Sequence, residues 1–150
     1  MSGVAITLTI GGEARTKIRE LMGRIEDLRP FYAAASELML DQTQSRFREQ
    51  RAPDGAPWAP LAASTVKRRG SAFPILERTA VLRGGIHAAP TTRAAIVRTL
   101  PLPYAAIHQA GGKAGRNRSV EIPARPYLGF GAADERELIE LAQAMIGMRR

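Results

Sequence analysis

The chain has 150 residues, 45 % of them hydrophobic but only 5 % aromatic, which suits one domain over residues 1–150 with a thin, alanine-rich core that a partner completes. It has no cysteine, so disulfides, thiolate chemistry and Cys-ligated zinc are excluded, and no run reaches the ~18 apolar residues of a spanning helix. The net charge of +8 arises in residues 51–125, where twelve Lys/Arg stand against three Asp/Glu; such an excess points to a polyanion or an acidic protein surface as neighbour, or serves solubility alone.

In chain order, Val4, Ile6, Leu8 and Ile10 alternate with smaller and polar residues, the period-two pattern of a half-buried strand that Gly11-Gly12 ends. The opening residues lack the charged start of a signal peptide, so a cytoplasmic site of synthesis and assembly is expected. Ile18, Leu21, Met22, Ile25 and Leu28 recur at helical spacing and predict a helix from Glu13 to about Asp27. Pro30 breaks it and suits the first turn of a second helix. There Phe31, Ala35, Leu38, Met39 and Phe47 form the apolar stripe, with Glu37, Asp41, Arg46 and Arg48 outside it. The passage PDGAPWAPLAASTVKRRG then holds the single tryptophan, Trp58, between Pro57 and Pro60, which rules out a long helix or central strand around it.

Beyond that passage, Ile75 to Leu82 reads as a short helical turn closed by Gly84-Gly85. Residues 86–89 and 94–100 predict a hairpin. YAAIHQAGG is short and helix-forming, KAGRNRS reads as a mobile cationic loop, and Val120 and Ile122 mark a brief strand before Pro123 and Pro126. Asp134 with Glu137 resembles a capping box, and Leu138, Leu141, Ala142 and Met145 form the apolar face of a last helix. The fold class that follows is α+β, a small, mainly antiparallel sheet packed against two or three helices, with a long proline-rich loop.

No catalytic constellation emerges. His87 and His108 lie far apart without metal-ligand spacing, and each reads as a structural or surface histidine. Phosphate-loop and nucleophile-elbow motifs are absent, and carboxylates are scarce where cations are dense. The expectation is therefore no enzyme, no catalytic residue, no cofactor and no metal. Lys67-Arg68-Arg69 and Lys113, Arg116 and Arg118 can neutralise phosphates but lack interleaved aromatics, so they support only non-specific contact with DNA. A small non-specific DNA-binding module is the alternative reading.

The ordered series DLRP, TQSRF, PDGAPWAPLAASTVKRR, ILERTAVLR, YAAIHQAGG and IPARPYLGFGAAD resembles the phage virion morphogenesis family, the tail-completion proteins of Mu-like and related tailed phages. The likeness covers about residues 27–148. Two positions depart from the family pattern: Ala80 stands where a glycine is usual before leucine, and Ala110 where a bulky aromatic is common after His-Gln. The resemblance implies a structural virion protein that completes the tail or head–tail junction as a homo-oligomeric ring. Its implied partners are its own copies, tail and connector proteins and packaged DNA, with no membrane; its implied place is the virion, reached through the host cytoplasm. The assembly residues expected on this basis are Trp58, Lys67, Arg68, Arg69, His108, Gln109, Lys113, Arg116, Arg118, Arg125 and Tyr127. Trp58 reads first as an anchor pinning an irregular loop and second as a hot spot in a neighbour's pocket. The segments YAAIHQAGG and IPARPYLGF are expected to lie together, with Arg125 held by its flanking prolines. Lys67 to Arg69 are expected to dock an acidic neighbour, and Lys113 to Arg118 to face a DNA channel.

Overall fold

The computed structural model describes residues 12–147. The strand expected at residues 4–10 lies outside them.

Helix α1, Gly12–Met22, turns Ile18 and Leu21 inward. It stops earlier than the apolar spacing suggests, because the chain tightens at Gly23, where Arg24 N–H bonds Leu21 O and Ile25 N–H bonds Met22 O, both at 3.0 Å. Ile25 is still buried by this tighter turn. Helix α2, Arg29–Glu49, opens with Pro30 in its first turn, where a missing N–H costs nothing. It ends at Gln50, which adopts left-handed dihedrals (φ 58°, ψ 40°) and turns the chain into the proline-rich passage.

α2 is the spine between two apolar clusters. Its first half sets Phe31 and Ala35 against Ile18, Leu21 and Ile25, and against Leu138 and Ala142 of the last helix. Its last turn delivers Phe47 into a cluster with Trp58, Ile75, Leu82, Ile86, Val97, Ala105, Tyr127 and Leu128. Phe47 is fully buried, with the Trp58 ring edge-on at 5.2 Å and Tyr127 tilted at 5.6 Å. Such pairs add about 0.5–1.5 kcal/mol each beyond the area they bury. This second cluster collects three of the eight aromatic residues of a chain poor in them.

The connecting segments are short. α3 (Ala63–Arg69) closes on Gly70, and α4 (Val81–Gly84) is a single turn. Lys67 to Arg69 therefore belong to a helix, not to the loop expected there. The turn expected from Ile75 is helical only from Val81, since Leu76 (φ 63°) and Ala80 (φ 55°) hold left-handed dihedrals. β1 (Ile86–Ala88) pairs antiparallel with β2 (Val97–Thr99) in the register Ile86 to Thr99, as the hairpin reading predicts. Ser36 of α2 fixes this ribbon by accepting the Ile96 N–H at 3.0 Å. α5 (Ala105–Ala110) precedes a second antiparallel ribbon, β3 (Gly112–Ala114) with β4 (Val120–Ile122). The cationic stretch expected as a loop is thus one strand of this ribbon and the 3₁₀ turn at its tip, Arg116–Arg118. α6, Ala132–Gly147, packs across α1 and α2.

The architecture is α+β, with its antiparallel strands divided between two small ribbons. None of the helices among the described residues is long and apolar enough to cross a membrane.

Candidate functional site

The proline-rich passage is irregular but tied down by its own hydrogen bonds. Asp54 Oδ1 accepts the Ala56 N–H at 2.9 Å, and Ala52 N–H bonds Ala56 O at 2.8 Å, closing a tight turn around Gly55. Trp58 N–H then bonds Gln50 O at 3.0 Å. The turn aims the Trp58 ring inward, where it is only 5 % exposed and its Nε1–H donates to Pro126 O at 2.7 Å. The indole thereby closes a loop to a segment 68 residues away.

That distant segment is stitched to α5. Gln109 Oε1 accepts the N–H groups of Tyr127 and Leu128 at 3.1 and 3.0 Å, while its Nε2 donates to Leu128 O at 2.8 Å. One amide side chain therefore replaces the strand partner that the IPARPYLGF segment lacks. Tyr127 is wholly buried and its hydroxyl donates to Ala105 O at 3.0 Å; burial pushes its phenol pKa up to about 12. Gly111 lets the two segments touch, since at φ 74° a Cβ there would sit 2.8 Å from Ala124 N.

Arg125 locks the assembly. Its N–H bonds His108 O at 2.8 Å, and its guanidinium donates through Nε to Ala59 O and through Nη2 to Pro60 O, each at 2.7 Å. The fork thus clamps the residues that follow Trp58, and the side chain keeps only 4 % exposure. Burial lowers its pKa from the ordinary arginine value without approaching neutrality. His108 sits beside it, with Nδ1 buried and without a hydrogen-bond partner. Burial first, and the Arg125 charge second, pull the His108 pKa down.

A third tie escaped the sequence reading. Arg46, expected on the outer side of α2, is buried at 6 % exposure and must be moved to the core. It donates to Tyr127 O at 3.0 Å and to Asp134 Oδ2 at 2.5 Å. Asp134 in turn accepts the Gly131 N–H at 2.6 Å, so it caps α6 from inside its first turn and does not precede the helix. Beside this pair, Gly129 and Gly131 press on Pro53: a Cβ at Gly129 would lie 2.6 Å from Pro53 Cγ, and one at Gly131 would run into the Pro53 carbonyl. The signal available in the sequence was the spacing of Thr43, Arg46, Phe47 and Gln50, which places all four on one face of α2. Gln50 completes that face by donating to Ile75 O at 3.3 Å and accepting the Ile75 N–H.

The structure sorts the eleven expected site residues into two sets. Trp58, His108, Gln109, Arg125 and Tyr127 converge in one knot beside Phe47. Lys67, Arg68, Arg69, Lys113, Arg116 and Arg118 lie outside it, on α3 and on the β3–β4 ribbon. Arg69 is half-buried and donates to Pro74 O at 2.7 Å, while the other five are exposed. Among the described residues, no group of histidine, aspartate and glutamate side chains is placed to hold a metal ion.

The chain matches the model of the phage virion morphogenesis family over residues 12–147. A stretch of 38 residues is 63 % identical to Mu-like prophage FluMu G protein 2 of Haemophilus influenzae, covering 25 % of this chain and 28 % of that protein. The match therefore spans less than a third of that relative's own length. No solved structure matches the chain.

Proposed function

The chain belongs to the phage virion morphogenesis family, and we propose that residues 1–150 act as one subunit of an oligomeric ring that completes the tail or the head–tail junction. Its role is structural, as a virion component that works against other virion components. The observation that supports the reading is the division of labour among the family-like segments. Those that carry Trp58, Gln109, Arg125 and Tyr127 spend their polar groups inside the subunit, whereas the cations around them have no carboxylate partner among the described residues.

On this reading the knot holds the subunit's shape and the cations meet its neighbours, tail and connector proteins. Lys67 and Arg68 lie on an ordered helix whose last residue, Arg69, is itself bonded to Pro74, so they present charge from a fixed base. A fixed cation pair suits docking to an acidic protein surface better than diffuse contact with DNA.

The test is to image particles made without this protein. Unfinished tails beside unjoined filled heads are expected, with a ring at the tail end or junction restored by adding the purified chain. Normally joined particles would overturn the proposal. The exposed cations also favour a second reading, a DNA-binding module, which requires a Kd for free duplex DNA near or below ~10⁻⁶ M and a steep salt dependence.

A further inference from the structure

Among the described residues, the β3–β4 ribbon pairs with no third strand. From Gly112 to Glu121 every residue is exposed except the half-buried Ala114, and Val120 leaves 51 % of its surface open. An isolated two-stranded ribbon with water on both faces is marginal. This one carries Lys113, Arg116 and Arg118, and no ion pair among the described residues includes any of them.

A groove elsewhere on the subunit has the opposite need. It runs between α2 and α6, with a volume of about 340 Å³, and its lining includes Asp41, Glu49, Arg51 and Glu137. Arg46 and Asp134 at its base neutralise each other. Among the described residues, Asp41 and Glu49 are exposed without a cationic partner, and Glu137 accepts from Gln42 Nε2 at 2.9 Å. Arg51 donates to Gly55 O at 2.9 Å and leaves the carboxylates in excess.

We propose that the β3–β4 ribbon of one subunit docks in the α2–α6 groove of a second copy of this chain, with Lys113, Arg116 and Arg118 facing Asp41, Glu49 and Glu137. Three cations meet three carboxylates, and docking covers Val120. The β3–β4 ribbon and the α2–α6 groove are different surfaces of one subunit, so the contact is head-to-tail and propagates until it closes. Duplex DNA could use the ribbon but would be repelled by the groove, which favours the second copy as occupant. The inference rests on the ring reading and gives that ring its joint.

Charge reversal tests it. Lys113→Glu with Arg116→Glu, or Asp41→Lys with Glu137→Lys, should each weaken self-association by on the order of tenfold or more, with unchanged thermal melting because all four sites are exposed. The diagnostic experiment mixes the two variants. Native ribbon then faces native groove and reversed ribbon faces reversed groove, so sedimentation should show the mixture regaining the association that each variant alone has lost. Because the chain has no cysteine, Arg116→Cys together with Glu137→Cys should also give a covalent ladder under mild oxidation, in solution and in particles, where either change alone should stop at dimers.

If the parent chain neither associates nor forms a ring in particles, the ring reading fails and this inference with it. If the parent associates and the reversed variants match it, or the mixture associates no better than either variant alone, the ribbon–groove joint alone is overturned. Normal assembly of the ribbon variant with loss of DNA retention would also overturn it and assign the ribbon to DNA.

Discussion

Replacing Arg46 with methionine should destabilise the fold by about 3–5 kcal/mol, the cost of leaving one member of a buried ion pair alone. The structure sets the size of the effect. The Arg46 and Asp134 side chains keep 7 % and 11 % of their surface, so water cannot easily take over. Methionine fills much of the arginine's volume but strips the Tyr127 carbonyl of its donor and leaves the Asp134 carboxylate with the Gly131 N–H alone. Against a total stability of about 5–15 kcal/mol for a domain, that is a third or more. Adding Asp134→Asn, which keeps an oxygen for Gly131 while removing the charge, should recover most of the loss. Urea unfolding of the parent, both singles and the double gives the coupling energy directly. A single-variant cost below about 1 kcal/mol, or a coupling near zero, would mean that the pair is effectively solvated and that α2 and α6 are held by apolar packing alone.

Four further outcomes follow from the same structure. Trp58→Ala should cost about 3–5 kcal/mol and reduce virion assembly in parallel; unchanged melting with failed assembly would transfer Trp58 from anchor to interface. Arg125→Lys should impair stability and assembly nearly as much as Arg125→Ala, because an ammonium cannot span the Ala59 and Pro60 carbonyls with the guanidinium's fork; full activity in the lysine variant would show that charge alone matters. Ala80→Gly should stabilise by about 0.5–1 kcal/mol, since relief of a left-handed alanine at φ 55° outweighs glycine's extra freedom when unfolded; a lower Tm would refute it. His108 has a folded pKa below its unfolded one, so the unfolded chain binds the proton more readily. Stability should therefore be full above the unfolded value, near 6.5, and fall as pH drops through it, and His108→Asn should flatten that slope in melts from pH 8 to 5.

What the sequence made legible was what local pattern determines. Pro30 announces the start of α2, the alternation at 86–100 yields its hairpin, and Leu138 to Met145 trace the inner face of α6. Arg46 was illegible because a charge on a helix is read as facing water, and its partner Asp134 stands 88 positions away. Lys67 to Arg69 read as loop because Pro57 and Pro60 dominate the passage, although no proline or glycine interrupts residues 61–69. The helix expected from Ile75 fails because Gln50 claims both backbone groups of that residue. Arg125 is held by its flanking prolines in the sequence, but only the folded chain reveals that both acceptors of its guanidinium belong to the loop behind Trp58.

The long reach of these ties also orders events in time. Trp58 finds its acceptor only when Pro126 exists, and the carbonyls of Ala59 and Pro60 wait for Arg125. A ribosome that has made the first hundred residues has supplied the indole, the turn and α2, but neither the acceptor of the indole N–H nor the guanidinium that clamps Ala59 and Pro60. Closing a loop of more than sixty residues carries its entropic cost before any contact repays it. The newborn chain therefore keeps its largest aromatic surface open until its last fifth emerges, and premature association between nascent copies is the hazard that follows.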